Sequence, residues 1–489
     1  MFRINEKFYI TTPIYYVNER PHIGNAYTTC VADVLARWQK IQNKKVFFLT
    51  GTDEHGQKIA AAAAAASKSE KQFVDEKAKA FQDIWRRLNI NYDNFLRTTD
   101  QNHIHAVEKM LQKLYERNFI YKGEYEGWYC VSCEQYKTKE DLVNGQCQEH
   151  NTKAVLMKEE SYFFKLSQFT KILEKKISSD KLEIYPKERK NEVLGFIRKG
   201  LKDISISRKN VKWGIPLPFD KNYTTYVWVD AFLNYLTGLG WNGKDDNYPE
   251  MWPPEIQLMA KDILRVHATI WPGILLAFGF PLPKKIFVHG YFTINGQKIS
   301  KSLGNVIWPE ELIQKFGVDG TRYLLMSSLS YGQDGDISWK RLVEKYNADL
   351  ANGLGNLVSR VTKLNEGFKI NKFDSIASAA KIIKDIKVKK KTKDLGLLYR
   401  EIKLYEEIKL KEVLEEIWKK VAWANKYIED KKLWELVKTD PKGAKKALTE
   451  LLSLISQIAE AIAPFLPETS EKIKEILKTG KSEPLFPRV

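Results

Sequence analysis

The opening of the chain leaves little choice of fold. Residues 7–16 read as a strand, with Phe8, Ile10 and Thr12 alternating and Pro13 making the end irregular. Residues 25–41 read as a helix, because Ala26, Cys30, Val34 and Trp38 recur every fourth position. Residues 45–49 form a short apolar strand that opens into the loop Thr50-Gly51-Thr52-Asp53-Glu54-His55-Gly56. Between the first strand and the helix lies Pro21-His22-Ile23-Gly24-Asn25. Strand, glycine-bearing turn, helix and strand again begin an α/β nucleotide-binding fold built on a parallel sheet. A glycine in such a turn lets another group approach the backbone. A histidine there can donate to a phosphate beside the unpaired N–H groups of a helix start.

A chain of 489 residues exceeds what one core usually holds, so two or three domains are expected. Residues 115–160 are rich in Gly, Cys and Tyr and interrupt the α/β pattern like an insertion. Strand and helix signals resume at Ile184. Residues 223–235, 272–280 and 286–289 supply the second half of the α/β unit. Beyond Asp336 the period turns helical over 342–363, 393–428 and 444–462, with charged residues opposite apolar stripes, which implies a bundle of about four or five helices. The expected division is 1–114, an insertion over 115–220 with its Cys/His cluster at 130–150, 221–336, and 337–489. The alanine run 60–66 favours helix but carries no chemistry. The longest apolar stretch, 270–283, is interrupted by Pro272, Gly273 and Gly279, so no membrane span is expected. The N-terminal Met-Phe-Arg-Ile-Asn-Glu-Lys lacks a signal-peptide layout.

Lys and Arg exceed Asp and Glu by 79 − 61 = 18, an excess that suits a polyanionic partner. The lysine-dense stretch 381–393 reads as a solvated surface or as a contact to a nucleic-acid backbone. Four cysteines make no disulfide scaffold. Cys130-x2-Cys133 and Cys147-x2-His150, with a tight turn expected at Asn144-Gly145, bring four soft or borderline ligands into reach of one another. That set suits one tetrahedral Zn²⁺ of structural type, since four protein ligands leave no open position. The bland alternative is three inert cysteines and a surface histidine. Cys30, on the apolar face of the first helix, reads as core.

A second cationic segment, Lys298-Ile299-Ser300-Lys301-Ser302, lies between Asn295-Gly296 and Gly304-Asn305. Two lysines three apart in a glycine-flanked loop can follow charge as it builds on a departing pyrophosphate. Taken with His22–Asn25, it resembles the paired HIGH and KMSKS signatures of class I aminoacyl-tRNA synthetases, in the right order. Asn25 replaces a histidine of the first signature and Ile299 a methionine of the second. The methionine-specific branch is suggested by 13–18 (PIYYVN), 48–59 (FLTGTDEHGQKI), 127–130 (GWYC), 212–216 (KWGIP), 226–231 (YVWVDA), Lys261-Asp262-Ile263 through His267, 347–352 (NADLAN) and 356–360 (NLVSR). The resemblance covers essentially the whole chain.

The resemblance implies a Rossmann-like (HUP-type) parallel-sheet catalytic domain, an inserted zinc-knuckle connective domain and an all-α helical-bundle anticodon-binding domain. It implies ligation of methionine to tRNA(Met) through methionyl-adenylate, with Mg²⁺ accompanying ATP. His22, Gly24, Asn25, Lys298, Ser300 and Lys301 should serve ATP, with His22, Lys298 and Lys301 catalytic. Asp53 should hold the methionine ammonium, and Ile14, Tyr16, Trp228, Ala231, Tyr235, Ile263 and His267 should line the methionine pocket, where homocysteine is the nearest mimic. Phe232 and Ala260 stand where some members have Pro and Gly. Asn356, Arg360 and Trp434 should read the anticodon, with Leu433 in place of the usual proline. A cytoplasmic monomer is expected. The rival readings are a class I synthetase for another amino acid, or a zinc-bearing tRNA-binding protein without catalysis. Outside the resemblance, Trp228 and Tyr235 read more often as core than as ligand wall, His267 as a core or capping histidine and Asp53 as a loop cap; for Trp434 packing between helices stays the alternative even within it.

Overall fold

The structure is a computed structural model that describes residues 6–132, 135–137, 142–148, 152–209, 211–243, 247–294, 296–298, 306–370, 403–481 and 483–489. Its centre is a seven-stranded sheet in which every pairing is parallel. Across it run Glu183–Tyr185, Lys285–His289, Ile256–Ala260, Lys7–Thr11 and Lys45–Asp53. Tyr15–Tyr16 and Asn94–Arg97 both pair with the last of these. The chain therefore starts in mid-sheet and builds outward both ways from Lys7–Thr11. The carboxyl ends of Lys7–Thr11 and Ile256–Ala260 then flank the crevice where a doubly wound sheet holds its ligand.

Period-two alternation divides the strand side chains between two cores. Phe8, Ile10, Phe48, Leu258 and Phe287 enter one, which includes the first helix and the C-terminal helices. Tyr9, Leu49, Met259, Ile286 and Val288 enter the other, on the side of the insertion. The first helix spans Ile23–Ile41, two residues earlier than its apolar period indicated, because His22 caps it. The second strand spans Lys45–Asp53, so Asp53 ends a strand where a loop was expected. The first strand stops at Thr11, and Tyr15–Tyr16 resumes on the same neighbour.

Between Asn94–Arg97 and Glu183–Tyr185 the chain leaves the sheet. A helix, Gln101–Glu116, leads into a long antiparallel hairpin of Ile120–Cys130 and Val155–Phe164. Near its tip, Leu142–Val143 pairs with Gln146–Cys147 across Asn144-Gly145, both residues having positive φ, as a type I′ turn demands. The expected tight turn is present.

A long helix, Pro309–Ser328, leads out of the α/β unit into Trp339–Lys345, a wider-wound Tyr346–Gly355, and Asn356–Asn365. Leu410–Asp430, Leu433–Thr439, Pro441–Ile462 and Pro467–Thr479 follow. The helical character expected beyond Asp336 is there among the described residues. The lysine-dense stretch 381–393 lies outside them. No helix among the described residues is long and apolar enough to cross a membrane.

Candidate active site

One cavity of about 540 Å³ opens at the carboxyl ends of four parallel strands. Its wall runs through Pro13–Tyr16 after the first strand, Asp53 at the end of the second, Ala260 to Ile263 after the third, and His289 to Phe292 after the fourth. The helix Val227–Phe232 contributes Trp228, Ala231 and Phe232, and Tyr235 follows it. All eight residues singled out for methionine (Ile14, Tyr16, Asp53, Trp228, Ala231, Tyr235, Ile263, His267) line this one space. So do His22, Gly24 and Asn25 from the start of the first helix. Residues from six separate segments thus converge, four of them because parallel strands deliver their carboxyl ends to one edge.

His22 caps the first helix: its Nδ1 accepts from the Gly24 N–H at 3.0 Å, while its own N–H donates to Asn25 Oδ1 at 3.0 Å. That assignment puts a neutral ring's proton on Nε2, the donor a phosphate needs. A Cβ on Gly24 would come within 2.9 Å of His22 Cε1, so the glycine makes room for the ring. Asn25 supports the same cap through Oδ1 and keeps Nδ2 as a donor, which accounts for asparagine at this position.

The apolar end of the cavity is aromatic. Phe232 stacks on Trp271 at 5.9 Å, and the His267 ring stands edge-on to Phe232 at 5.1 Å and to Trp228 at 6.1 Å. His267 Nδ1 donates to the Ile263 carbonyl at 2.9 Å, so Nε2 accepts from the Tyr235 hydroxyl at 2.9 Å. Burial pushes His267 down to about 4, against the pull of that carbonyl, so the ring is neutral near pH 7. Neutral His and Tyr among aromatic rings make a wall suited to a thioether and costly for a charged side chain.

Several residues in and behind the site were not singled out from the sequence. His289 Nδ1 donates to the Gly290 carbonyl at 2.7 Å, and its Nε2 meets Thr28 Oγ1 at 2.7 Å, which fastens the first helix to the cavity floor. Burial pushes His289 down to about 4 as well. Arg20 lies 3.7 Å over the Trp308 ring at the rim. Glu54 takes Arg97 in a two-pronged bond at 2.7 and 2.8 Å, and His55 Nδ1 meets Asp230 Oδ2 at 2.6 Å. The run Thr52-Asp53-Glu54-His55 signals these partners only by its density of acid, base and hydroxyl groups.

Lys298 lies on a two-residue strand opposite Thr293, one residue from cavity-lining Phe292. Ser300 and Lys301 lie outside the described residues, as do Cys133 and His150. Cys130 and Cys147 are both buried. Thr152 serves the two together: its hydroxyl is 3.4 Å from Cys130 Sγ and its carbonyl accepts the Cys147 N–H at 2.9 Å. No cluster of three metal-ligating side chains occurs among the described residues. Cys30 is buried in the first helix with its thiol pushed up to about 12 by burial, as a core residue.

In the bundle, Asn356 and Arg360 lie one turn apart on the helix Asn356–Asn365. Arg360 Nη1 pairs with Glu429 at 2.7 Å, and its guanidinium lies 5.8 Å from the centre of the Trp434 ring. Leu433 is fully buried while Trp434 is 40% exposed, so Leu433 takes the core position and the indole faces solvent.

A parallel sheet that brings a histidine-capped helix start and an aromatic-lined cavity to one edge, with a hairpin insertion and an appended helical bundle, is the architecture of class I aminoacyl-tRNA synthetases. A family model described as "tRNA synthetases class I (M)" matches residues 8–154 and 137–362, and one described as "Anticodon binding domain of methionyl tRNA ligase" matches 379–487. The methionine–tRNA ligase of Clostridium acetobutylicum is 41% identical, over 99% of this chain and 78% of its own. That of Rickettsia bellii is 39% identical, over 99% and 95%. A solved Mycobacterium tuberculosis methionyl-tRNA synthetase in complex with methionyl-adenylate superposes with a TM-score of 0.87 at 35% identity, over 96% of this chain and 93% of that one. The chain belongs to the methionyl-tRNA synthetase family. Near-full-length matches to catalytic relatives leave no room for either rival reading.

Proposed function

We propose that the cavity at the strand ends is where methionine and ATP meet, and that its residues divide the work as follows. The reaction is methionine–tRNA ligation: ATP, L-methionine and tRNA(Met) give L-methionyl-tRNA(Met), AMP and diphosphate. Asp53 pairs with the methionine ammonium. Ile14, Tyr16, Trp228, Ala231, Tyr235, Ile263 and His267 enclose the thioether, and Phe232 closes the far wall. The carboxylate needs no base, being ionised near neutral pH, and attacks the α-phosphorus in line. His22 Nε2, the Gly24 and Asn25 backbone and the Asn25 amide hold the phosphates at the helix start. Lys298, Ser300 and Lys301 close over the diphosphate as charge develops on it. Mg²⁺ accompanies ATP and neutralises phosphate charge. A ribose hydroxyl of the terminal adenosine of tRNA(Met) then attacks the carbonyl of the methionyl-adenylate, its proton passes to the adenylate phosphate, and AMP leaves with the electrons of the broken C–O bond. What supports this reading is the convergence of all eight methionine residues with the His22–Asn25 cap on one cavity.

Cys130, Cys133, Cys147 and His150 hold one structural Zn²⁺. The pair that can be tested on geometry fits: both thiols are buried, and Thr152 offers Cys130 the hydroxyl donor that a metal-bound thiolate takes. Zinc supplies only the cross-link that keeps the hairpin tip folded. Asn356, Arg360 and Trp434 form the anticodon surface, where an exposed indole beside an arginine can stack on an unstacked base. The catalytic unit spans 1–114 and 221–336, the connective unit 115–220 and the anticodon unit 337–489, and the enzyme works as a monomer in the cytoplasm, where thiol ligands stay reduced.

The test is methionine-dependent ATP–pyrophosphate exchange with Asp53→Ala and Trp228→Ala. Each is expected to raise the methionine KM by about 100-fold with the ATP KM nearly unchanged. Unchanged methionine KM in both variants would remove the pocket assignment.

A further inference from the structure

Asp230 is 1% exposed, yet both its carboxylate oxygens are taken by imidazoles: His55 Nδ1 at 2.6 Å on Oδ2 and His103 Nε2 at 2.9 Å on Oδ1. The chain continues from His103 Nδ1 to Thr237 Oγ1 at 2.7 Å, and Thr237 reaches the Leu233 carbonyl at 3.0 Å. Burial raises the Asp230 carboxyl, but its pairing with His55 and His103 outweighs that and holds it below the usual carboxylate range. A buried carboxylate held by two imidazoles is costly to desolvate and is not needed to fill a core. None of these groups enters the reaction described above.

Their value lies in what they join. His55 stands two residues after Asp53, and Asp230 stands two residues after Trp228 and next to Ala231. On the helix Val227–Phe232, positions 228 and 230 point about 200° apart, so Trp228 faces the cavity while Asp230 points away from it. His55 is itself set by its neighbours: its ring stands 5.5 Å from that of Trp213, and Trp213 Nε1 donates to the Glu54 carbonyl at 2.6 Å. The Glu54 carboxylate in turn is clamped by Arg97. The His55–Asp230 bond is thus a strut behind the pocket, between the strand end that carries Asp53 and the helix that carries the side-chain wall.

We propose that the His103–Asp230–His55 chain fixes the span of the amino-acid pocket, with His55 a positioning residue that selects a substrate by the distance from its ammonium to the end of its side chain. This rests on the assignment of Asp53 and Trp228 above. A strut of this kind acts on methionine and leaves the ATP subsite, built on the first helix, alone. It also discriminates between straight-chain amino acids of neighbouring length, such as homocysteine, methionine and ethionine.

The experiment is ATP–pyrophosphate exchange on the full chain with His55→Ala, His55→Asn and Thr237→Val, using methionine and ethionine as substrates. Folding is monitored by thermal melts. His55→Ala is expected to raise the methionine KM about 10-fold, to leave the ATP KM within about twofold, and to narrow the preference for methionine over ethionine about 10-fold. His55→Asn, which keeps a short N–H donor towards Asp230, is expected to recover most of both losses. Folded His55→Ala with wild-type methionine KM and preference, or with both KM values rising together, overturns the proposal. If His55→Ala does not fold, Thr237→Val decides: a rise in methionine KM alone, by about two- to threefold, supports the strut, and no change overturns it. Should Asp53→Ala and Trp228→Ala leave the methionine KM untouched, the pocket assignment itself fails, independently of His55.

Discussion

The hydroxyl of Tyr235 donates to Nε2 of His267 at 2.9 Å, inside the aromatic wall of the cavity. That bond requires a neutral imidazole, because the other ring nitrogen is already the donor to Ile263. Burial sets the folded value of His267 at about 4, below its ordinary 6.5. Above pH 6.5 neither folded nor unfolded chain protonates it. As pH falls from 6.5 towards 4 the unfolded chain takes up the proton first, and stability drops. The loss between pH 7 and pH 5 is about 2 kcal/mol for this one group. Denaturant titrations at the two pH values should show a loss smaller by that amount in His267→Gln.

Arg322 and Asp33 meet at 2.6 Å with both side chains fully buried, and Arg322 also donates to the carbonyls of Leu88, Pro464 and Phe465. One guanidinium therefore ties the first helix to the loop before the last helix of the bundle. Arg322→Leu removes one of the two arginines that hold the Asp33 carboxylate and strands three carbonyls. It should cost about 3 kcal/mol, at the low end for a broken buried pair because Arg37 still reaches Asp33 at 2.7 Å. Urea unfolding measures this, and a loss under about 1 kcal/mol would contradict it.

Gly24→Ala puts a methyl group 2.9 Å from His22 Cε1. The ring must leave the hydrogen bond that aims its Nε2. The exchange kcat should fall about 100-fold with methionine KM close to wild type. A fall in methionine affinity alone would mean that His22 serves the amino acid and not ATP.

The zinc assignment predicts one metal ion per chain by elemental analysis, lost on Cys147→Ser. Chelation should lower the melting temperature of the wild-type protein and leave that of the variant unchanged. Full occupancy in Cys147→Ser would exclude Cys147 from the ligand set.

Much of this molecule is legible from local pattern. The parallel α/β core follows from strand–turn–helix spacing, and the bundle from helical period. The Asn144-Gly145 turn follows from two residues that tolerate positive φ. Pocket membership of Trp228, Tyr235 and His267 came from family motifs, since periodicity alone reads such residues as core. What local pattern does not contain is pairing across the chain. Thr28 meets His289, His55 meets Asp230, and Asp33 meets Arg322, each across more than a hundred residues. Period tells which face of an element is buried, not which polar partner waits there. The strand carrying Asp53 ran four residues past its apolar stretch because Thr50, Gly51 and Thr52 are fully flanked, by Asn94–Arg97 on one side and the Lys7–Tyr16 segment on the other. Gly51 is needed there, since a Cβ would sit 2.0 Å from the Leu96 carbonyl oxygen.

The most direct test of the central claim is ATP–pyrophosphate exchange with each of the twenty amino acids in turn, with Mg²⁺ and zinc-loaded protein. The pocket described here predicts strong exchange with methionine and background exchange with the other nineteen. Exchange led by any other amino acid, or none from folded protein, would contradict it.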